Sequence, residues 1–123
     1  MSDFYSVDIK GYKAELPVLT LPSGVKIAFF NLHGNPAMTE HCGKELAKLV
    51  GDSDVVITAE SKGLQLAHVV ARECGHPYYA VARKSKKLYT VDGISVEYGS
   101  SITTGAAQKL YLSKHDADLL KGK

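Results

Sequence analysis

Apolar and polar positions alternate through the first part of the chain. Residues 4–9, 12–16 and 25–32 are rich in β-branched and aromatic side chains and are separated by Lys10-Gly11 and Pro22-Ser23-Gly24, which punctuate strands as turns. A small antiparallel β arm over residues 1–32 follows. The period then changes. Cys42, Leu46, Leu49 and Val50 stand at i, i+4, i+7 and i+8, one face of a helix that Thr39 can cap and Gly51 can stop. Val55-Val56-Ile57-Thr58 is a short continuous apolar run, the mark of a strand buried on both faces. Leu64, Ala67, Val70, Ala71 and Cys74 return to helical spacing, Gly75 closes that helix, and Pro77 blocks its continuation before a strand over 78–83. Strand, turn, helix and strand predict a βαβ unit with parallel strands and a right-handed crossover.

From Lys84 to Gly105 the chain turns polar and glycine-containing, with 95–98 the one strand-like island. Its length predicts a functional loop, because long structureless loops are uncommon in compact domains unless they act as lids. Residues 110–112 read as a further strand and 117–120 as a turn of helix.

Composition changes this picture little. The chain has 123 residues, 45% hydrophobic and 23% charged, which suits one modest domain. A net charge of +2 gives no argument for nucleic acid or for an acidic membrane surface. No apolar stretch approaches the roughly 18 residues that a membrane helix needs, and the opening Met-Ser-Asp-Phe-Tyr has no basic or apolar leader pattern, so a cytoplasmic location is expected. The two cysteines, Cys42 and Cys74, fall on the apolar faces of the two helices and suit core filling. His41 beside Cys42, with His33 nearby, matches no standard zinc spacing.

Candidate chemistry lies at two turns. Glu60-Ser61-Lys62-Gly63 stands where the buried strand gives way to a helix N-terminus. Unpaired amides and the helix dipole favour an anion there, Gly63 would let a ligand approach the backbone, and Lys62 adds a cation. The strand over 78–83 ends in Arg83-Lys84-Ser85-Lys86-Lys87, four cations in five residues, and a parallel sheet brings that run to the same edge. Each turn read alone is an ordinary connection with solvated charges. Together they suit a polyanion such as pyrophosphate.

These residues also resemble a known family. Ala59-Glu60-Ser61-Lys62-Gly63 is similar to the pyrophosphate loop of type I phosphoribosyltransferases of the adenine or purine branch. Val81-Ala82-Arg83-Lys84 followed by Lys87-Leu88 resembles that family's strand end and the start of its mobile catalytic loop, and Val96-Glu97-Tyr98-Gly99 resembles the far side of the loop. The resemblance runs over 54–123, while the arm matches the variable hood only in position. It implies an α/β fold: a type I phosphoribosyltransferase-like parallel sheet core, incomplete over 54–123, with an N-terminal antiparallel β arm or hood, all in one domain.

The resemblance further implies transfer of a phosphoribosyl group from phosphoribosyl pyrophosphate to a purine base with release of pyrophosphate. Mg2+ would arrive on the substrate pyrophosphate, and the partner would be a second copy in a homodimer, with no nucleic acid or membrane. Glu60, Ser61, Lys62, Gly63, Arg83, Lys84 and Lys87 would hold pyrophosphate, Glu60 by orienting the turn or the metal's water shell. Ser85, Tyr98, Gly99 and Gly105 would belong to the mobile loop. No catalytic residue is assigned. The family's signature strand, with two acidic residues and a Thr- and Gly-rich turn, is absent from the sequence, so the chain reads as truncated and incompetent alone. One alternative is a phosphoribosyl pyrophosphate-sensing regulator of purine genes on the same fold. The other is an unrelated small α/β binding module.

Overall fold

The computed structural model of the chain describes residues 3–86, 93–100 and 107–123, with the backbone alone at 98–100 and 107. The arm forms as its alternation predicts. Strands β1 (Phe4–Ile9), β2 (Tyr12–Thr20) and β3 (Lys26–Ala28) make an antiparallel sheet in that order. Lys10 and Gly11 close the first hairpin with φ of 51° and 96°, the left-handed pair that a two-residue hairpin turn requires. Strand β2 runs four residues past the predicted Leu16 end. It does so because Pro17, which lacks an amide, still offers its carbonyl, which accepts from Phe29 N at 2.8 Å. That bond fixes Phe29 just beyond β3.

Helix α1 (Pro36–Val50) begins before Thr39. Asn35 is the cap, its Oδ1 accepting from Met38 N at 3.1 Å, and Pro36 takes the first helical position, where a missing N–H does no harm. Thr39 is instead buried inside the first turn, its hydroxyl donating to Asn35 O at 2.8 Å. The buried stripe also differs from the predicted one: Met38, Thr39, Gly43 and Ala47 face inward, whereas Leu49 is 80% exposed. Size decides this. A Cβ on Gly43 would fall 2.3 Å from Val69 Cγ1, so the close crossing of α1 on helix α2 (Leu64–Glu73) selects the small residues. Ala67, Val69, Val70 and Ala71 bury the α2 side. Both cysteines are free and half-buried, and burial pushes the Cys42 thiol above its usual range, in keeping with a packing role.

The βαβ unit is present. Strand β4 (Ile57–Ala59) pairs in parallel with β5 (Ala80–Ala82), Ile57 opposite Ala80 and Ala59 opposite Ala82, with α2 as the crossover. Burial is one-sided, however. Ala80 and Ala82 are buried, but Ile57 is 51% exposed, because among the described residues β5 is the strand that pairs with β4. Beside it runs a groove of about 320 Å³ lined by Leu46, Val50, Val55, Val56, Leu66 and Val70. The expectation of a strand buried on both faces is therefore corrected: one edge and one apolar flank of β4 lie open.

The polar stretch after β5 is not one long loop. Strand β6 (Ile94–Ser100) occupies its middle and pairs antiparallel with β7 (Ala107–Leu112), Ile94 opposite Leu112 and Val96 opposite Leu110. The island at 95–98 is thus the centre of a longer strand, in which Tyr98 and Gly99 lie. Helix α3 (Lys114–Leu120) starts at a Ser113 cap that accepts from Asp116 N at 3.2 Å, three residues ahead of the predicted turn. Asp116 Oδ2 in turn accepts from Val81 N at 3.0 Å, closing part of the far edge of β5. Among the described residues no helix is long and apolar enough to cross a membrane.

An open apolar strand edge recruits further chain. Light scattering of the 123-residue chain should therefore show self-association that rises with concentration and is reduced by Ile57→Lys, which places a charge on that edge. A wild-type chain that stays monomeric over the same range would contradict the open edge.

Candidate functional site

The carboxyl end of β4 continues its ladder by one residue, Glu60 N donating to Ala82 O at 3.0 Å. The chain then turns through Ser61, Lys62 and Gly63 into α2, and the Glu60–Ser61 peptide is cis. Gly63 is the N-cap of α2, and no side chain caps the helix. With no side-chain cap from Gly63, the first amides of the helix and the positive end of its dipole are presented toward the turn. Glycine at 63 also has a cause within the fold itself. A Cβ there would meet Thr58 Oγ1 at 2.6 Å, so the turn folds tightly onto its own strand.

The second cationic turn meets the first through Glu60. Its Oε1 lies 2.7 Å from Arg83 Nε and accepts from Lys84 N at 2.8 Å. The two side chains are only 27% and 21% exposed, Arg83 and Glu60 respectively. Arg83 is also bound through its backbone: its N and O each bond Tyr111 at 2.8 Å, which ties β5 to β7. Glu60 and Arg83 thus hold the turns together, while Ser61, Lys62, Lys84, Ser85 and Lys86 are exposed around them. The Lys62 ammonium lies 5.7 Å from the centroid of the Phe29 ring. Of the remaining predicted residues, Lys87 and Gly105 lie outside the described residues.

Sequence reasoning missed Phe29, Thr58 and Tyr111. Phe29 belongs to the arm, thirty-three residues before Lys62, and nothing in the spacing links them. It also missed a cleft of about 660 Å³ between the first turns of α1 and α2, with Leu32 and Val69 on its floor and His33, Gln65, His68 and Tyr79 around it. Gln65 Nε2 lies 3.1 Å from His33 Nδ1, and His68 meets Tyr79 edge-on at 6.2 Å. Among the described residues no three metal-ligating side chains cluster.

No protein-family model matches the chain, and no curated protein matches its sequence. Among solved structures, the APRTase of Giardia lamblia, in complex with 9-deazaadenine, matches 91% of this chain at 17% identity with a TM-score of 0.56. The chain has a phosphoribosyltransferase-like fold. It spans 56% of the length of that APRTase chain. The likeness is one of backbone, and it agrees with the mixed architecture of a parallel βαβ unit and antiparallel strands that carries the two cationic turns. Within a phosphoribosyltransferase-like fold, the Glu60 turn is the junction of a parallel strand and a helix N-terminus, beyond the carboxyl end of the sheet where ligands of open α/β sheets gather.

If Glu60 fastens the two turns, Glu60→Ala should release Lys84 first. Amide exchange at Lys84 should then speed up by about tenfold or more, with little change at buried positions of α2 such as Val70. Unchanged exchange at Lys84 would mean that the carboxylate is not what orders that turn.

Proposed function

We propose that this chain is the pyrophosphate-binding part of a purine phosphoribosyltransferase of adenine type, acting in the cytoplasm as a homodimer. The observation that carries the reading is the Glu60 junction: an uncapped helix N-terminus and two lysine-bearing turns, fastened side by side by one carboxylate. The phosphoribosyltransferase-like fold supports it, and a regulator on the same fold is not favoured.

In the proposed reaction a purine nitrogen bonds to C1 of the phosphoribosyl group while the bond from C1 to the pyrophosphate oxygen breaks. Charge grows on the leaving pyrophosphate, which enters as its Mg2+ complex. The amides of 61–63 would meet that charge with oriented dipoles, and Lys62, Lys84 and Lys87 with point charges. Glu60 would act by orientation, since its carboxylate is already engaged by Arg83 and by Lys84 N. Arg83 would be held back by the same pairing and would shape the site more than it touches the anion. The segment after Lys84, with Ser85, Tyr98, Gly99 and Gly105, would cover the reacting atoms.

Nothing in the sequence supplies the acidic pair and the Thr- and Gly-rich turn that would hold the ribose hydroxyls and the 5-phosphate. Placement of C1 would then be lost, a cost of orders of magnitude where proximity carries much of the rate. The test is adenine-dependent pyrophosphate release from phosphoribosyl pyrophosphate with Mg2+, for this chain and for one extended beyond Lys123 through the signature segment. The extended protein should turn over and the short chain should not. Comparable turnover by the short chain would remove the need for the extra segment, and no adenine-dependent release by the extended protein would refute the enzyme.

A further inference from the structure

We infer that Phe29 is a positioning residue of the anion site, holding the Lys62 ammonium beside the turn and so making the β arm part of pyrophosphate recognition. The inference rests on the proposed anion site and adds to it an apolar residue from an element outside the βαβ unit.

Lys62 stands at the outer bend of the turn, exposed on a long flexible stem. A free lysine samples many rotamers, and ordering it on an anion costs entropy that weakens binding. The ring of Phe29 limits that sampling. Its centroid lies 5.7 Å from Lys62 Nζ, inside the roughly 6 Å range over which the negative face of an aromatic ring attracts a cation. An ammonium has three donors, and a ring at this distance leaves the outward ones to an anion.

The ring is itself held. Phe29 N donates to Pro17 O at 2.8 Å, so its backbone is fixed to the central strand of the arm. The side chain is half-buried against a recess that Leu16, Pro17, Asn31 and Met38 also line. A ring anchored on one side and facing a cation on the other is a rest for that cation. Among the described residues the nearby Glu60 carboxylate is engaged by Arg83 and by Lys84 N, so the ring is the contact the structure gives Lys62.

The experiment is a double-mutant cycle read by titration with pyrophosphate, using wild type, Phe29→Leu, Lys62→Met and the double variant, with Phe29→Tyr as the conservative control. Phe29→Leu should weaken binding by about two- to five-fold, the worth of an exposed cation–π contact. Phe29→Tyr should bind like wild type, and the double variant no more weakly than Lys62→Met. A second readout needs no anion: the Lys62 ε-methylene protons should lie upfield in wild type and in Phe29→Tyr, and move to ordinary positions in Phe29→Leu. Wild-type affinity in Phe29→Leu would overturn the inference while leaving the anion site standing. So would an equal loss on adding Phe29→Leu to Lys62→Met, since the ring would then act through the arm and not through the ammonium. A wild-type chain that binds no pyrophosphate would overturn the anion site, and this role of Phe29 with it.

Discussion

Everything proposed for this chain depends on one carboxylate, that of Glu60, shared between Arg83 Nε at 2.7 Å and Lys84 N at 2.8 Å. Without it, two cationic turns at the end of a narrow parallel sheet would repel each other across the main-chain bond from Glu60 N to Ala82 O that keeps their strands in step. An exposed ion pair would do little to prevent that, since such pairs are typically worth about 0–1 kcal/mol. This one is largely shielded, and it is joined by a backbone amide bonded to a charged acceptor, an interaction worth about 1.5–3 kcal/mol. The carboxylate also spares the cations that matter: by engaging Arg83 it leaves the lysines at 62, 84 and 86 exposed around the turn.

The ion pair is in turn a product of topology. Parallel pairing of Ile57–Ala59 with Ala80–Ala82 brings residue 60 level with residue 83, because the two strands end in step. Twenty residues of crossover, 60–79, with α2 among them, make this possible, and α2 sits tightly because Gly43 admits Val69. On the other side Arg83 is locked to Tyr111 and Val81 N to Asp116. The β6–β7 hairpin and α3 therefore brace the turn from one side only. The other side of the sheet is open at Ile57, next to a groove lined with leucine and valine, and no large side chain is fully buried among the described residues. This core asks for more cover than the described residues give it.

Much of this was legible in the sequence. Period-two alternation marked the arm, the Lys10-Gly11 pair its first hairpin, and the step from a continuous apolar run to helical spacing marked the βαβ unit and hence the meeting of the two turns. The failures have physical causes. Thr39 was read as a cap because a hydroxyl before a helical pattern suits one, yet Asn35-Pro36 starts the helix earlier and Thr39 satisfies its hydroxyl inside. Leu49 was read as core because periodicity ranks by hydrophobicity, whereas the α1–α2 crossing ranks by size and prefers Gly43 and Ala47. The centre of strand β6 was legible at 95–98, but its full length was hidden by Gly93, Gly99 and its polar neighbours, and its pairing with Leu110 and Leu112 came only with the fold. The contact of Phe29 with Lys62 could not be read at all, since it joins the arm to the core by tertiary placement.

The central claim is that the turn after β4, with its amides at 61–63, is where an anion sits. Titration of the 15N-labelled chain with pyrophosphate, followed by amide chemical shifts, tests this most directly. The account predicts that Ser61, Lys62, Gly63 and Leu64 shift together, saturably, with Lys84 following because Glu60 ties it to the same turn. Shifts confined to the lysines at 84 and 86, growing without saturation and vanishing in salt, would contradict it, for they would mean that the cations attract the anion while the helix N-terminus does not receive it.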